Sequence, residues 1–223
     1  DCLLSRGLGD VYKRQVWDFD FVTDTKLHVA TADAGLIEMD LLTGHARYLQ
    51  RDSKGAFSRA QAIYIIREDA QQERWYANEL SVYQLNKDGN LSEVFTFTGK
   101  DPVVHHIRDI LRFEDTLIIA TSMGLYQFDL SNKLLKPLPY LPENAVEDQL
   151  NSKALLLHDE HLLIGTVRGL YRLPISVLRQ PSAEVLAETL LPKHNVWKIK
   201  LSQQYGILLA TDSGLLQLDA EAI

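Results

Sequence analysis

Apolar and polar residues alternate along this chain with a period of two, and the alternation returns at regular intervals. In LIIATSMGLYQFD (117–129) an apolar triplet is followed by a small residue, a threonine, a glycine and then alternating apolar positions. This alternation is typical of β-strands, whereas a helix would need a period of about 3.6 residues. Four other segments fit the same template: 27–40, 74–86, 162–174 and 207–219.

The glycine or serine in each segment gives the length of the repeat. These anchor positions follow one another at intervals of 46, 43, 45 and 45 residues. Each copy also has a strand-like run before its apolar triplet and a less regular run after it, which makes four strands per copy. The fold class predicted is all-β, a β-propeller of four-stranded antiparallel blades, with about five blades present. The anchors are Gly35, Ser81, Gly124, Gly169 and Gly214.

At three equivalent positions of the repeat, the residue type that recurs has a physical reason. The small residue after each triplet, such as Ala120, is expected to let neighbouring sheets approach closely. Glycine supplies the positive φ that tight connections need, so Ser81 predicts a less regular turn in the second copy. Each copy then ends on a residue that stops the strand, by capping its own turn or by lacking an N–H. These strand-ending residues are Asp40, Asn86, Asp129, Pro174 and Asp219.

The first fifteen residues differ from the rest of the chain. DCLLSRGLGDVYKRQ (1–15) has no strand or helix period and holds Cys2, the only cysteine. It resembles the read-through of a sequencing adapter. We therefore predict a non-native leader at 1–15 and a single repeat domain at 16–223.

Composition and charge exclude several classes of protein. The chain has 23 Lys and Arg against 30 Asp and Glu, a net charge of −7, which argues against nucleic-acid binding. No apolar run reaches the roughly 20 residues of a membrane span. One cysteine cannot form an internal disulfide or a Cys-rich metal site. The sequence contains no recognisable catalytic or phosphate-binding motif, so we predict no catalysis, no cofactor and no metal.

Candidate binding residues lie where the first strand of each repeat begins. Counting back by a constant number of residues from the small residue gives Asp18, Ile65, Arg108, Lys153 and Lys198, so three of five positions are basic. The innermost strands of a propeller line its channel, and ligands bind at the rim. Cations beside aromatic rings suit a small anionic or sugar-like ligand. The candidates are Trp17, Asp18, His106, Arg108, Asn151, Lys153, His194, Trp197 and Lys198.

The copies at 107–129, 162–173 and 196–219 resemble the two-component regulator propeller repeat. Each has a motif such as LIIAT or LLIGT, then two variable residues and a Gly-Leu pair. The resemblance covers nearly all of 16–223. It departs from the family in the strand before the threonine, where only Trp75 supplies the tryptophan that many members carry.

What the resemblance implies is a periplasmic input region of a bacterial histidine kinase or diguanylate cyclase. In such a receptor the blades would sense a ligand without catalysis, and membrane attachment and a homodimer would come from other parts of the protein. Because family members usually have seven blades, we expect this chain to be a fragment of a seven-bladed propeller.

Two other function classes stay open on the sequence. Metal-dependent lyases and lactonases are also propellers, but they need Glu or His residues converging on the axis, and the inner-strand columns here contain little Glu. Propeller faces also bind proteins, so an interaction scaffold is the remaining alternative.

Overall fold

The computed structural model describes residues 15–32, 34–49, 62–97, 106–141, 145–181 and 185–218. The chain is all-β, built of antiparallel β-propeller blades in which sequential strands lie side by side. It divides into two compact units, unit 1 within residues 1–100 and unit 2 within residues 101–223. In the described ranges no helix is long and apolar enough to cross a membrane.

Unit 1 contains two blades of four strands each. Their inner strands β1 and β5 contact one another, and the core lies between the two sheets, around Tyr76 and Tyr83. The first blade is β1 (Val16–Thr23), β2 (Lys26–Thr31), β3 (Gly35–Asp40) and β4 (Ala46–Leu49). The second is β5 (Ile65–Glu68), β6 (Arg74–Ala77), β7 (Ser81–Leu85) and β8 (Leu91–Thr96).

Unit 2 contains the next two four-stranded blades and a sheet of three described strands. The third blade is β9 (Ile107–Phe113), β10 (Thr116–Thr121), β11 (Gly124–Asp129) and β12 (Leu135–Leu138). The fourth is β13 (Ser152–His158), β14 (His161–Thr166), β15 (Gly169–Pro174) and β16 (Glu188–Pro192). The fifth is β17 (Val196–Ser202), β18 (Gly206–Thr211) and β19 (Gly214–Leu218). Short helical turns α1 (Glu147–Leu150) and α2 (Ser176–Arg179) lie in connections.

The second strand of the third and fourth blades is buried on both faces, as the apolar triplet predicts, whereas β18 of the fifth blade is fully buried on one face only. Leu162 and Ile164 of β14 pack in the cluster shared with the third blade, whereas Leu163 packs in the cluster shared with the fifth. Alternate side chains of one strand therefore fill two different cores. The expected close approach of sheets is confirmed at Gly165, because a Cβ there would lie 2.7 Å from Cγ1 of Val196.

The repeat's threonine and glycine build one connection. Thr121 Oγ1 donates to the Gly124 carbonyl (2.9 Å) and accepts from the Met123 N–H (3.0 Å), while Gly124 has φ 117°. In the second blade Asn78 Oδ1 instead accepts from the N–H groups of Leu80 (2.9 Å) and Ser81 (2.7 Å). Strands β10 and β11 stay paired up to Thr121 and Gly124, whereas the pairing of β6 and β7 stops at Ala77 and Val82. The less regular turn predicted for the copy with serine is thus confirmed.

Strand-ending aspartates cap their own turns, as the sequence predicts. Asp129 Oδ1 accepts from the N–H groups of Ser131 (2.8 Å) and Asn132 (3.0 Å), and these bonds lower the pKa of its carboxyl group. Asp40 makes the same kind of turn with Leu42 and Thr43. β15 ends on Pro174, as predicted. Asp219 lies outside the described residues, as do residues 1–14 of the predicted leader.

Candidate ligand-binding site

The innermost strand of four blades carries a β-bulge near its start. In the third blade Ile107 pairs with Thr121 and Asp109 pairs with Ala120, so Arg108 is an extra residue without a partner across the ladder. A bulge bends the strand and turns the extra side chain away from the regular alternation. The extra residues of the first, fourth and fifth blades are Trp17, Lys153 and Trp197.

The second blade has a matching residue. Tyr64 directly precedes Ile65, the pairing partner of Ala77, and its N–H donates to the Ala77 carbonyl at 2.8 Å. Tyr64 therefore stands where the other blades place their extra residue. We call Trp17, Tyr64, Arg108, Lys153 and Trp197 the bulge positions; all of them are aromatic or basic.

This register corrects the column of equivalent residues predicted from the sequence. Arg108 and Lys153 are equivalent to each other, but Lys198 pairs with Ala210 and so lies one position further along its strand. Asp18 and Ile65 are displaced in the same way, since they pair with Ala30 and Ala77.

The error comes from the turn between the first two strands. It has two residues in the third and fourth blades (114–115 and 159–160) and three in the fifth (203–205). The first blade has a second register shift between Phe21 and Thr23. A constant count from the small residue therefore reaches different places in different blades.

In unit 2 the bulge positions form a cluster of two cations and one indole. The Lys153 ammonium lies 3.5 Å from the centre of the Trp197 ring, a close cation–π contact. Burial lowers the pKa of Lys153, and the positive charge of Arg108 lowers it further. We call Arg108, Lys153 and Trp197 the bulge cluster. Strand β13, which carries Lys153, contacts both β9 and β17.

A second set of equivalent residues precedes the inner strands of unit 2. The carbonyls of His106, Asn151 and Asn195 accept from the N–H groups of Ser122 (3.0 Å), Val167 (3.2 Å) and Asp212 (3.2 Å). The side-chain oxygens of Asn151 and Asn195 are buried and have no hydrogen-bond partner among the described residues. Such oxygens are places where a donor from a ligand or water is expected.

Sequence reasoning selected His106 and Asn151 but missed Asn195, choosing its neighbour His194 instead. His194 Nδ1 lies 3.2 Å from Ser213 Oγ and 3.7 Å from a carboxylate oxygen of Asp212. The repeated asparagine immediately before β13 and β17 was the signal that pointed to Asn195.

In unit 1 the candidate side chains Trp17 and Asp18 contact other residues of the same unit. The rings of Trp17 and Tyr64 meet edge to face at 5.2 Å. One carboxylate oxygen of Asp18 accepts from the Phe19 N–H (3.1 Å) and the other from the Ile66 N–H of the next blade (3.2 Å). Asp18 thus joins two inner strands.

Asp109 makes the same junction in unit 2, although sequence reasoning did not select it. Its carboxylate accepts from the N–H groups of Ile110 (2.9 Å) and Leu155 (2.8 Å). Because Asp18 and Asp109 each directly follow a bulge position, they fix the inner strand beside the bulge to its neighbour.

A cleft in unit 1 was also missed by the sequence analysis. Its volume is 360 Å³, and it lies between the connection before β7 and strand β8. Its walls mix amide, hydroxyl and carboxylate groups with Leu80 and Tyr64. No group of three or more metal-ligating side chains is found in the described ranges of either unit.

No family model and no curated protein sequence matches the chain. Solved structures do match. An extracellular domain assigned to a hybrid two-component system of B. thetaiotaomicron aligns over 93% of this chain and 27% of its own, with TM-score 0.69 and 16% identity. One assigned to a one-component system of the same organism aligns over 86% and 25%, with TM-score 0.62 and 17% identity.

A third solved structure is PorZ, a surface component of the type-IX secretion system of Porphyromonas gingivalis. It aligns over 92% of this chain and 32% of its own, with TM-score 0.66 and 13% identity. The chain thus spans about a quarter to a third of the length of these proteins. At these identities the likeness establishes the fold, and it confirms at that level the predicted resemblance to sensor propellers.

Proposed function

We propose that this chain is part of the extracytoplasmic sensor region of a bacterial signal-transduction receptor, located in the periplasm, and that its blades bind a small ligand without catalysis. Support comes from the fold shared with extracellular domains of one- and two-component systems. The remainder of such a receptor would supply the membrane attachment and the output domain.

The observation that carries the proposal is the repeated bulge on the inner strands. Every bulge position holds an aromatic or basic side chain, and four of the five are Trp, Tyr or Arg, the residue types enriched where binding energy is concentrated. Trp17 and Trp197 are both about half exposed (52% and 53%). If the bulges served only to shape the sheet, the extra residue would not need to be aromatic or basic.

The side of the inner membrane on which the chain lies tests the proposal, and residues 16–223 contain no cysteine that would compete for labelling. In the full-length receptor, with any cysteine outside residues 16–223 replaced by serine, Lys87→Cys puts a thiol on an exposed turn, while the control Ala154→Cys puts one in the core. A membrane-impermeant maleimide added to intact cells whose outer membrane has been permeabilised should label Lys87→Cys. The control should react only after denaturation.

Labelling of Lys87→Cys only after the inner membrane is broken would contradict the proposal. The outcome does not depend on the ligand, so it separates the cellular role of the chain from the chemistry of any one site.

A further inference from the structure

Two positive charges in the bulge cluster lie close together with no counter-charge among the described residues. Arg108 and Lys153 occupy the same position of adjacent inner strands, and the field of Arg108 reaches the Lys153 ammonium. Neither forms an ion pair with a carboxylate in the ranges that the structure describes. Holding two such cations together costs free energy that a bound anion would offset.

The geometry of the cluster suits a planar anion attached to a ring. Arg108 is exposed, and its guanidinium offers a fork of N–H donors that matches a carboxylate. The Lys153 ammonium is held against Trp197, so its position is fixed before a ligand arrives. Trp197 keeps 53% of its surface exposed, which leaves indole area for the apolar face of a sugar ring.

Two cations and an exposed indole surface therefore point to a ligand that combines a carboxylate with a ring. A sugar acid has both features.

We propose that Arg108, Lys153 and Trp197 form a binding site for an acidic sugar, with the carboxylate bound by the two cations and the ring against the indole. This site rests on the proposed sensing function and supplies the chemical class of its ligand. The carboxylate supplies the negative charge that the two cations lack among the described residues.

Titration of the full chain with D-glucuronate, followed by tryptophan fluorescence and by calorimetry, tests the site. Neutral D-glucose and inorganic phosphate serve as matched probes that each lack one feature of the ligand. Arg108→Gln and Lys153→Gln should each weaken glucuronate binding about tenfold, the effect of losing one charge-assisted hydrogen bond. The control Lys200→Gln removes an exposed cation from the same strand as Trp197 and should bind like the wild type.

Glucose should bind at least about tenfold more weakly than glucuronate, since it lacks the charged group. Trp197→Phe should remove the fluorescence change while calorimetry still detects binding. Wild-type affinity in both Gln variants would overturn the proposal, and so would glucose or phosphate binding as tightly as glucuronate. Circular dichroism melts of each variant separate a lost site from a lost fold. The labelling of Lys87→Cys is unaffected by any of these outcomes.

Discussion

At the scale of single residues, one buried aspartate joins neighbouring inner strands. Asp109 is 1% exposed, and its carboxylate accepts from the N–H of Leu155 on the next blade. Removing the acceptor leaves that buried N–H unsatisfied, so Asp109→Ala should lower the free energy of unfolding by about 1–3 kcal/mol. Chemical denaturation of the chain measures the change.

Asp115→Ala is the matched control for this substitution. Asp115 lies in the exposed turn of the same blade, and a surface change there should stay within about 0.5 kcal/mol. Equal effects of the two substitutions would show that the Asp109 junction contributes nothing particular.

The titration of Lys153 gives a second residue-scale prediction. Burial and Arg108 lower its pKa in the folded chain, so between that lowered pKa and the ordinary lysine value the unfolded chain binds more protons. The free energy of unfolding must therefore rise with pH across this window. Lys153→Gln lacks this contribution, so the stability of the wild type relative to Lys153→Gln should increase as pH rises towards the ordinary lysine pKa.

Thermal melts of the wild type and of Lys153→Gln at successive pH values measure this difference in stability. Groups that titrate in the same way in both proteins do not contribute to it. Repeating the pair with Arg108→Gln as background should reduce the slope, because one cause of the lowered pKa is gone. If the stability difference between the two proteins does not change with pH, the pKa of Lys153 is not lowered by burial and Arg108 as the structure indicates.

Much of the residue-level structure could be predicted from the sequence because it depends on local chemistry. The turns closed by Asp40 and Asp129, and the connection between Thr121 and Gly124, involve groups a few residues apart. Asp109 could not be selected in this way, since its partner Leu155 is distant in sequence and the pairing depends on how two blades meet.

At the scale of strands, the distance between sheets is set by the small column of the repeat. Gly165 faces Val196 of the next blade so closely that an added methyl group would lie 2.7 Å from Val196 Cγ1. Gly165→Ala should therefore lower the free energy of unfolding by about 1–3 kcal/mol, the usual cost of overpacking a core. Denaturant unfolding of the chain provides the test.

Gly89→Ala is the control in that experiment, because it adds a methyl group without a packing clash. Gly89 has φ 75° and nothing within 4 Å of an added Cβ, so its cost would come from the backbone alone. Because Val196 is fully buried, Val196→Ala is destabilising by itself. Combined with Gly165→Ala it should cost less than the sum of the two single substitutions, since the added methyl group occupies space that Val196 vacates. Additive effects of the two substitutions would contradict the packing argument.

Strand number, order and pairing could be predicted from the repeat, whereas the bulges could not. A bulge changes neither the period of the second strand nor the spacing of the glycines. It alters only which residue of the inner strand pairs with the small residue that follows the apolar triplet. For this reason a constant count places Lys198 with Arg108 and Lys153, although Trp197 is the equivalent residue of its blade.

At the scale of the whole chain, the leader at 1–15 remains a prediction. Gln15 is described, and its carbonyl accepts from the Ala32 N–H at 3.0 Å. Deleting residues 1–14 should leave the melting temperature unchanged within error, because a non-native leader would contribute nothing to the blades. A lower melting temperature of the shortened chain would contradict the leader interpretation.

The central claim is that these blades are the sensing part of a larger receptor. Sequencing the full natural gene that encodes residues 16–223 tests it most directly. The account predicts further propeller repeats, then a membrane-spanning helix and an output domain such as a histidine kinase or a diguanylate cyclase. A gene that ends near Ile223 and encodes no membrane helix or output domain would contradict the claim.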